Sequence, residues 1–334
     1  MGLITIAIAS YNNARYIERC MESVCGQTFS DIEIILVDDG STDDTLQRIE
    51  KFRSDKRLKV IQKDNGGLSS VRQRALDEAT GDYICFIDAD DYLERTYIED
   101  LLAKIKKDGS DVCVCGTKFE DAEGNYLQKA SITFSCKEST KPIVSSFDTL
   151  ISEELSHDLH LSDTWNKMYR MDVLHRYKVR FCMPRGLNGS DTMFNHVIAL
   201  HGLSYSTITN DDYIHVIYNN SAVHRKNRNL KKSFQIICRN MIEECERIDN
   251  LDVMRPLISK KWYSWQYIVL EDVYVSTNSY KSLREVVKEQ KRFAKENRLD
   301  SVKISDFKGI FGKAFILSYK YFTFMLPILY RVRS

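Results

Sequence analysis

Apolar runs alternate with segments of helical periodicity along the first third of this chain. Residues 3–9 form a β-rich apolar run, and residues 14–25 place their apolar side chains on one helical stripe. The same pattern predicts strands at residues 32–37, 58–62, 83–87 and 111–116, and helices after Ser41 or Thr42, at 68–79 and at 97–107. This alternation predicts right-handed β-α-β units and a parallel sheet with helices on both faces.

The alternation then weakens. Residues 117–220 mix short strands, polar turns and a helix predicted near 145–155. From about Lys231 the pattern is helical through Lys295, with few breakers apart from Pro256. The sequence therefore predicts an α/β domain that is followed by a helical region.

The last segment, residues 307–334, combines aromatic and basic residues. Its aromatic side chains recur about every four positions, at Phe307, Phe311, Phe315, Tyr319 and Phe322. Lysine and arginine residues interrupt the apolar windows, so no stretch approaches the roughly 18–20 apolar residues of a transmembrane helix. Two interpretations stay open: a basic amphipathic helix at a membrane surface, and a helix that packs on the protein's own domain.

The composition is that of an ordinary globular protein, with 43% hydrophobic and 28% charged residues. A net charge of +1 argues against a nucleic-acid-binding protein, which usually carries a large basic excess. Among the nine cysteines, Cys20, Cys85 and Cys113 lie in apolar patterns, which is typical of buried thiols in a reducing compartment. The N-terminus shows no secretory signal, so we expect a cytoplasmic protein.

Three carboxylates, those of Asp88, Asp90 and Asp91, follow the fourth predicted strand. They would repel one another unless a cation lies among them. Alternate residues leaving a strand can converge, so Asp88 and Asp90 are candidate ligands of Mg²⁺ or Mn²⁺, while Ala89 turns away. A solvated turn rich in aspartate is the alternative reading of this short pattern. Asp38 and Asp39 follow another predicted strand at the same edge, where ligands bind in parallel sheets.

Four motifs, taken together, resemble the family 2 glycosyltransferases of the GT-A fold. The motifs are Ile8-Ala-Ser-Tyr11-Asn12, Val37-Asp38-Asp39-Gly40-Ser41-Thr42-Asp43, Asn65-Gly66-Gly67-Leu-Ser-Ser-Val-Arg72 and Asp88-Ala-Asp90-Asp91. The resemblance is dense over the first hundred or so residues and continues more loosely to about residue 225. It implies an α/β nucleotide-diphospho-sugar transferase fold: a Rossmann-like, mostly parallel sheet with helices on both faces, plus a helical C-terminal extension.

The resemblance also implies how a UDP-sugar is held. Tyr11 would stack on the nucleotide base and Asp39 would accept a hydrogen bond from a uracil nitrogen, which suits a flat aromatic face and a fixed carboxylate. Ala9 is the third expected nucleotide contact on this side.

At the diphosphate the resemblance implies a divalent metal, Mn²⁺ or Mg²⁺. Asp90 would be its direct ligand, and Asp88 would lie near the ribose and the metal. Ala89 is a further nucleotide contact, and Arg72 would support the nucleotide or the acidic cluster. His224 and Arg225 are further candidates for the diphosphate, in a stretch where relatives often carry other residues.

Two later segments resemble acceptor-side motifs of bacterial members. Asp163-Thr-Trp165-Asn166-Lys167-Met-Tyr169-Arg170 resembles the Trp-Asn-Lys segment that precedes the acceptor site. Gly189-Ser190-Asp191-Thr-Met-Phe194 resembles a Glu-Asp segment in which Ser190 replaces the glutamate. The resemblance makes Asp191 the catalytic base, and Trp165, Asn166, Lys167 and Ser190 acceptor-side candidates.

The implied domains are a catalytic domain at residues 1–225, with a nucleotide-binding half at 1–115 and an acceptor-binding half at 116–225, and a helical region at 226–334. The implied activity is transfer of a sugar from UDP to a hydroxyl of a saccharide acceptor in bacterial surface polysaccharide synthesis. A single base opposite the leaving group predicts inversion. If residues 307–334 contact a membrane, the acceptor is a lipid-linked saccharide and the enzyme is peripheral at the inner face of the cell membrane.

Two alternatives remain for the function. A non-catalytic partner subunit would bind nucleotide sugar without transferring it. A sugar nucleotidyltransferase would share the sheet, but it should open with a glycine-rich phosphate loop, unlike Ser10-Tyr11-Asn12-Asn13.

Overall fold

A computed structural model describes residues 2–130, 143–144, 163–218, 229–299, 302–307, 309–321 and 325–326. The chain divides into two compact units. We call them the sheet unit (Met1–Gly186 and Ser190–Ser221) and the helical unit (Leu187–Gly189 and Ala222–Ser334). The assignment of nucleotide and acceptor binding to residues 1–115 and 116–225 stays a prediction.

The strands of the sheet unit lie in two sheets. The described strands are β1 (Ile4–Ser10), β2 (Ile32–Asp38), β3 (Leu58–Gln62), β4 (Tyr83–Asp88), β5 (Tyr92–Leu93), β6 (Val112–Val114), β7 (Thr117–Asp121), β8 (Tyr126–Ala130), β9 (Ile143–Val144), β10 (Lys167–Arg170), β11 (Ser204–Thr207) and β12 (Tyr213–Ile217). The larger sheet has the order β3-β2-β1-β4-β10-β6-β11-β9, and the smaller sheet has the order β5-β12-β7-β8.

Most of the larger sheet is parallel. Strands β3, β2, β1 and β4 run in one direction, whereas β10 is antiparallel to both β4 and β6. The apolar residues of β1, β2 and β4 are almost completely buried, because helices cover both faces of a parallel sheet. The strand predicted at residues 58–62 is confirmed, and the other early strands differ from the prediction by one or two residues at an end.

Helices connect the strands and form the helical unit. The described α-helices are α1 (Ile17–Cys25), α2 (Thr45–Ile49), α3 (Leu68–Glu78), α4 (Tyr97–Asp108), α5 (Met171–Arg176), α6 (Ser190–Leu200), α7 (Leu230–Arg247), α8 (Leu251–Thr277), α9 (Tyr280–Glu296) and α10 (Gly309–Lys320). Short 3₁₀ helices lie at Glu50–Phe52 and Ile304–Asp306. The helix predicted near residues 145–155 lies outside the described residues.

The first helix begins three residues later than the pattern predicted. Backbone N–H groups at its expected start donate to side chains that follow β2: Asn13 to Thr45 Oγ1, at the start of α2, at 2.8 Å, and Ala14 to Asp43 Oδ2 at 3.1 Å. The helix therefore starts at Ile17, and the residues before it are attached to the loop that follows β2.

The helical unit contains three consecutive long helices. Asp249 and Asn278, which both adopt positive φ, lie in the two breaks between α7, α8 and α9. Pro256, the breaker that the sequence suggested, lies inside α8 and does not end it. Within the described part of the chain, no helix is both long and apolar enough to cross a membrane.

The aromatic stripe of the C-terminal segment packs within the helical unit. Phe307, Phe315 and Tyr319 are buried. Phe315 contacts Tyr267 of α8 edge to face, with ring centroids 5.3 Å apart, and Tyr319 contacts Tyr263 at 5.6 Å. The protein's own packing therefore occupies these three side chains, as the second of the two interpretations expected. The side chains of Phe311 and Phe322 lie outside the described residues.

Candidate active site

The carboxyl ends of three adjacent strands bring the predicted nucleotide residues to one edge. In the sheet register, Ser10 of β1 lies beside Asp38 of β2, and Ala9 lies beside Asp88 of β4. The backbone N–H of Ala89 donates to the carbonyl of Ala9 at 3.1 Å. Ala9 and Ala89 thus connect the end of β1 to the acidic turn through their backbone.

Asp39 is buried and accepts three hydrogen bonds from the loop before α3. Its Oδ1 accepts from the N–H of Gly66 at 2.8 Å and from Lys63 Nζ at 2.7 Å, and its Oδ2 accepts from the N–H of Gly67 at 2.7 Å. Gly67 has φ +85°, a backbone conformation that residues other than glycine rarely adopt. Because a carboxylate oxygen has two lone-pair sites, Oδ2 retains capacity for one further donor.

Tyr11 lies on an anchored loop, and its side chain is 49% exposed. The neighbouring Asn12, with φ +52°, donates its N–H to Ser41 Oγ at 2.9 Å and accepts from the N–H of Thr42 at 2.8 Å. These bonds attach the Tyr11 loop to the loop that carries Asp39. The aromatic face of Tyr11 is therefore accessible beside an anchored backbone.

Arg72 of α3 connects the acidic turn to the predicted base. Its guanidinium donates to Asp88 Oδ1 at 2.6 Å and also to Asp191 Oδ1. Arg72 is only 2% exposed; burial opposes its charge, but the two carboxylates outweigh burial and raise its pKa. Its Nε has no hydrogen-bond partner among the described residues.

Asp191 lies in the first turn of α6, where the helix dipole favours negative charge. Its second oxygen accepts from Thr164, at 3.1 Å from Oγ1 and 3.3 Å from the N–H. Burial raises the pKa of Asp191, although the nearby Arg72 opposes this shift. A carboxylate with a raised pKa is a stronger base than a solvated one, which suits proton removal from a hydroxyl.

Asp91 has a structural position that differs from that of its neighbours. It is completely buried and accepts from Tyr213 Oη at 2.6 Å and from the N–H of Val216 at 2.9 Å. His215 Nδ1 lies 3.0 Å from its Oδ2. Burial opposes the charged form of His215, but Asp91 outweighs burial and raises the pKa of His215 to about 9. Asp91 thus joins the acidic turn to strand β12.

Asp88 and Asp90 each keep one carboxylate oxygen without a hydrogen bond from the described residues. Arg72 binds Asp88 Oδ1 and the Tyr218 hydroxyl donates to Asp90 Oδ2, so Asp88 Oδ2 and Asp90 Oδ1 are available. Burial, followed by the neighbouring carboxylates of Asp91 and Asp88, raises the pKa of Asp90 to about 7.

The free oxygens of Asp88 and Asp90 fit a divalent cation that takes few protein ligands. Across the described ranges, no group of three or more His, Cys, Asp or Glu side chains is arranged to hold a metal. Mg²⁺ commonly uses one or two carboxylates and completes its shell with water and substrate phosphates. Two free carboxylate oxygens at a partly buried turn rich in carboxylates therefore match a metal that is bound together with a diphosphate.

The acceptor-side candidates of the Trp-Asn-Lys segment are buried in the sheet unit. Asn166, with φ +56°, donates from Nδ2 to the carbonyl of Cys115 at 3.2 Å and to Thr117 Oγ1 at 3.0 Å. Lys167 Nζ donates to Asn166 Oδ1 at 2.8 Å, and burial lowers the pKa of Lys167 to about 8. The polar groups of Asn166 and Lys167 thus bond to neighbouring chain, and their acceptor role stays a prediction.

Trp165 and Ser190 have different surroundings. Trp165 is buried, and its ring stacks on His215 with centroids 5.1 Å apart and an interplanar angle of 6°. Ser190 begins α6, and its buried hydroxyl has no partner among the described residues. His224 and Arg225 lie outside the described residues.

Sequence reasoning missed four side chains that complete this cluster. They are Lys63 at Asp39, Thr164 at Asp191, Tyr213 at Asp91 and Tyr218 at Asp90. Lys63 and Thr164 carried a local signal, because Lys63 lies two residues before the Asn65-Gly66-Gly67 motif and Thr164 lies inside the Asp163–Arg170 segment. Tyr213 begins β12 and Tyr218 follows it, and neither has a polar pattern of its own.

Comparison with known families assigns the class of protein. The model of the family described as Glycosyl transferase family 2 matches residues 5–178 of this chain, which is more than half of it. The chain therefore belongs to glycosyltransferase family 2, a family of sugar-transferring enzymes. The predicted GT-A fold, with its mostly parallel sheet and helical C-terminal region, is confirmed.

Several relatives are bacterial glycosyltransferases. EpsH of Bacillus subtilis (strain 168) is 30% identical over 234 residues, which are 69% of this chain and 65% of EpsH. The poly(ribitol-phosphate) β-N-acetylglucosaminyltransferase TarS of Staphylococcus aureus (strain MW2) is 30% identical over 218 residues, 64% of this chain and 35% of TarS. The chondroitin synthase of Pasteurella multocida (strain Pm70) is 41% identical over 116 residues, 34% of this chain and 12% of the synthase. The chain thus spans less than two thirds of each relative.

The solved structures show the same fold. Residues 1–349 of S. aureus TarS in complex with UDP-GlcNAc superpose with a TM-score of 0.59 at 19% identity, covering 96% of this chain and 92% of that one. The structure of the same TarS fragment in complex with UDP gives a TM-score of 0.55 at 22% identity, covering 95% and 91%.

Proposed function

We propose that this protein transfers a sugar from a UDP-sugar to a hydroxyl of a saccharide acceptor, with a divalent metal and with inversion at the anomeric carbon. The observation that carries the proposal is the position of Arg72, which contacts both Asp88 of the candidate metal pair and Asp191, the candidate base. The buried guanidinium of Arg72 thus connects the candidate metal ligand Asp88, on the side of the leaving diphosphate, with the candidate base Asp191, on the side of the attacking hydroxyl.

The nucleotide side supports a uracil base. A uracil ring presents an N–H between two carbonyl oxygens, so it needs one acceptor beside a donor. Asp39 Oδ2 has capacity for one more donor, and Lys63 lies 2.7 Å from the other oxygen. A relative of the same fold, TarS, has been solved with UDP and with UDP-GlcNAc. We therefore assign the donor as a UDP-sugar.

The chemistry requires charge stabilisation on one side and proton removal on the other. A metal held by Asp90 and Asp88 would neutralise the charge that develops on the departing diphosphate. Asp191, kept in place by Arg72 and Thr164, would take the proton of the acceptor hydroxyl as it attacks the anomeric carbon. One displacement with one base predicts inversion.

The acceptor that we propose is a lipid-linked saccharide of bacterial surface polysaccharide synthesis, such as that of a capsule. Its support is the outer face of α10, where Lys313 and Leu317 are exposed, together with the exposed Tyr321 and Met325 that follow the helix. This exposed strip would contact an anionic membrane at the cytoplasmic side. We expect removal of residues 307–334 to lower the membrane-bound fraction; an unchanged fraction would contradict membrane contact.

A UDP-release assay against a panel of nucleotide sugars tests the function. We expect release with one UDP-sugar and a saccharide acceptor in the presence of Mn²⁺, loss of release with EDTA, and an α-linked donor giving a β-linked product or the reverse. The matched control is Asp191→Asn, which should bind UDP but release it from the donor at a rate lower by roughly 10²–10⁴-fold. UDP affinity without any transfer would instead indicate the partner subunit, and release of pyrophosphate would indicate a nucleotidyltransferase.

A further inference from the structure

The acidic residues that follow β4 differ in how the chain holds them. Asp91 accepts hydrogen bonds from three residues of β12, and Asp88 is paired with the buried Arg72. Among the described residues, Asp90 accepts at a single atom, where the Tyr218 hydroxyl donates to its Oδ2. Tyr218 is therefore the described side chain that fixes the rotamer of Asp90.

The ring of Tyr218 is itself held by neighbouring structure. It stacks on Tyr16, with ring centroids 5.1 Å apart and an interplanar angle of 21°. Tyr16 immediately precedes α1, where its N–H donates to the carbonyl of Asn13 at 2.9 Å. Tyr218 immediately follows β12, which pairs with β7 along its whole length. The Tyr218 hydroxyl is thus positioned both by Tyr16, at the start of α1, and by strand β12 of the smaller sheet.

We propose that Tyr218 is a positioning residue for the metal ligand Asp90, and that the Tyr16–Tyr218 stack determines how tightly the metal is bound. The proposal rests on the proposed function, in which Asp90 binds the metal. The Tyr218 hydroxyl occupies Oδ2 and leaves Oδ1 as the oxygen that would bind the cation. A hydrogen bond that orients a ligating carboxylate strengthens metal binding, and loss of such a partner typically costs about 10–100-fold in affinity.

Tyr218→Phe tests the hydroxyl while it keeps the stacked ring. We expect the Mn²⁺ concentration that gives half-maximal enhancement of UDP affinity in calorimetry to rise about tenfold, which corresponds to about 1.4 kcal/mol. UDP affinity in EDTA should remain unchanged, and kcat at saturating Mn²⁺ should stay within about twofold, because the ligand itself is intact. A purely structural role would not separate these three quantities.

Tyr16 supplies the second test. Tyr16→Leu removes the stacking ring and should raise the Mn²⁺ requirement in the same direction as Tyr218→Phe, whereas Tyr16→Phe keeps the ring and should behave as the wild type. The matched control is Tyr267→Phe, which removes another tyrosine hydroxyl that donates to a carboxylate, that of Glu271 at 3.1 Å in the helical unit. It should leave the Mn²⁺ requirement unchanged.

The outcomes separate this proposal from the proposed function. If the wild type needs Mn²⁺ for tight UDP binding and Tyr218→Phe needs the same concentration, the positioning role is wrong and the metal site stands. If Tyr218→Phe needs less Mn²⁺, the hydroxyl competes with the metal and the proposal is also wrong. If UDP affinity of the wild type does not depend on Mn²⁺, both the metal role and the positioning role are overturned.

Discussion

The guanidinium of Arg72 in α3 forms an ion pair with Asp191 in the first turn of α6, although the two residues lie 119 positions apart in the chain. The same guanidinium binds Asp88 at 2.6 Å. A buried carboxylate would otherwise take up a proton, because burial disfavours its charge. Arg72 therefore supports the ionised form that a general base needs, and it fixes the direction in which the carboxylate points.

Replacement of Asp191 by Asn tests the base directly. Asn has nearly the same shape but takes no proton at neutral pH, so we expect kcat to fall by roughly 10²–10⁴-fold, the usual contribution of a general base. UDP affinity, measured by calorimetry with Mn²⁺, should stay close to that of the wild type. A variant that transfers sugar at the normal rate would exclude Asp191 as the base.

Replacement of Arg72 by Gln tests the electrostatic part of this arrangement. Burial raises the pKa of Asp191 and Arg72 opposes that rise, so removal of the guanidinium should raise this pKa further. Activity requires the deprotonated carboxylate and falls as pH drops through its pKa. The acidic limb of the kcat/KM profile should therefore move to higher pH.

The same variant should lose stability. Two carboxylates would lose their buried partner, which typically costs about 3–5 kcal/mol. Urea unfolding measures this cost, and circular dichroism at the assay temperature shows that the pH profile comes from folded enzyme. An acidic limb that stays in place, or moves to lower pH, would contradict the role of Arg72.

The neighbouring aspartates Asp90 and Asp91 should behave differently. Asp90 has a free oxygen and we expect Asp90→Ala to abolish the enhancement of UDP affinity by Mn²⁺, while the affinity in EDTA stays the same. Calorimetry with Mn²⁺ and with EDTA measures both values. Retention of the full metal effect by Asp90→Ala would remove Asp90 from the proposed metal site.

Asp91→Ala should act on stability instead. Its loss would leave the Tyr213 hydroxyl and the N–H of Val216 without their acceptor and the charged His215 without its partner. We expect a decrease in the free energy of unfolding of about 3–5 kcal/mol. Folded protein should still show tighter UDP binding with Mn²⁺, and loss of that effect would show that Asp91 is also a ligand.

The nucleotide edge could be predicted from the sequence because its determinants are local. Each motif there is a short loop that follows a strand, and the register of parallel strands brings Ser10, Asp38 and Asp88 to one edge. The turn at Gly40 has φ +73°, and an added Cβ would lie 3.2 Å from the backbone nitrogen of Asn65. A position that requires glycine in a short loop after a strand can be recognised from the sequence itself.

The remaining part of the site depends on distant contacts that leave no such pattern. Tyr218 and Asp90 are 128 positions apart, and Asp91 meets Tyr213 across 122 positions. Neither tyrosine can be distinguished by periodicity from other aromatic residues in strands. The burial of Asn166 and Lys167 is likewise a result of the strand β10 that inserts between β4 and β6. Sequence resemblance assigned these residues a role, but the sheet determines which groups they bond to.

A buried lysine in the helical unit gives a prediction that does not depend on the active site. Lys261 of α8 is 2% exposed, and its Nζ lies 5.3 Å from the centroid of the Trp265 ring. Burial lowers the pKa of Lys261 from 10.5 to about 7. Between these two pH values Lys261 binds more protons in the unfolded chain than in the folded chain, so the destabilisation that its burial causes decreases as pH rises from about 7 to about 10.5.

Lys261→Met should therefore stabilise the protein near neutral pH. The methionine keeps the apolar stem and removes the cost of burying an ammonium group, so we expect a gain of about 1–4 kcal/mol at pH 7 and a smaller gain at pH 9. Urea unfolding at the two pH values, followed by tryptophan fluorescence, measures both. Lys288→Met, at an exposed position of α9, is the matched control and should change stability by less than about 0.5 kcal/mol. A loss of stability in Lys261→Met at pH 7, or a gain that is independent of pH, would show that the buried ammonium is stabilised by its surroundings.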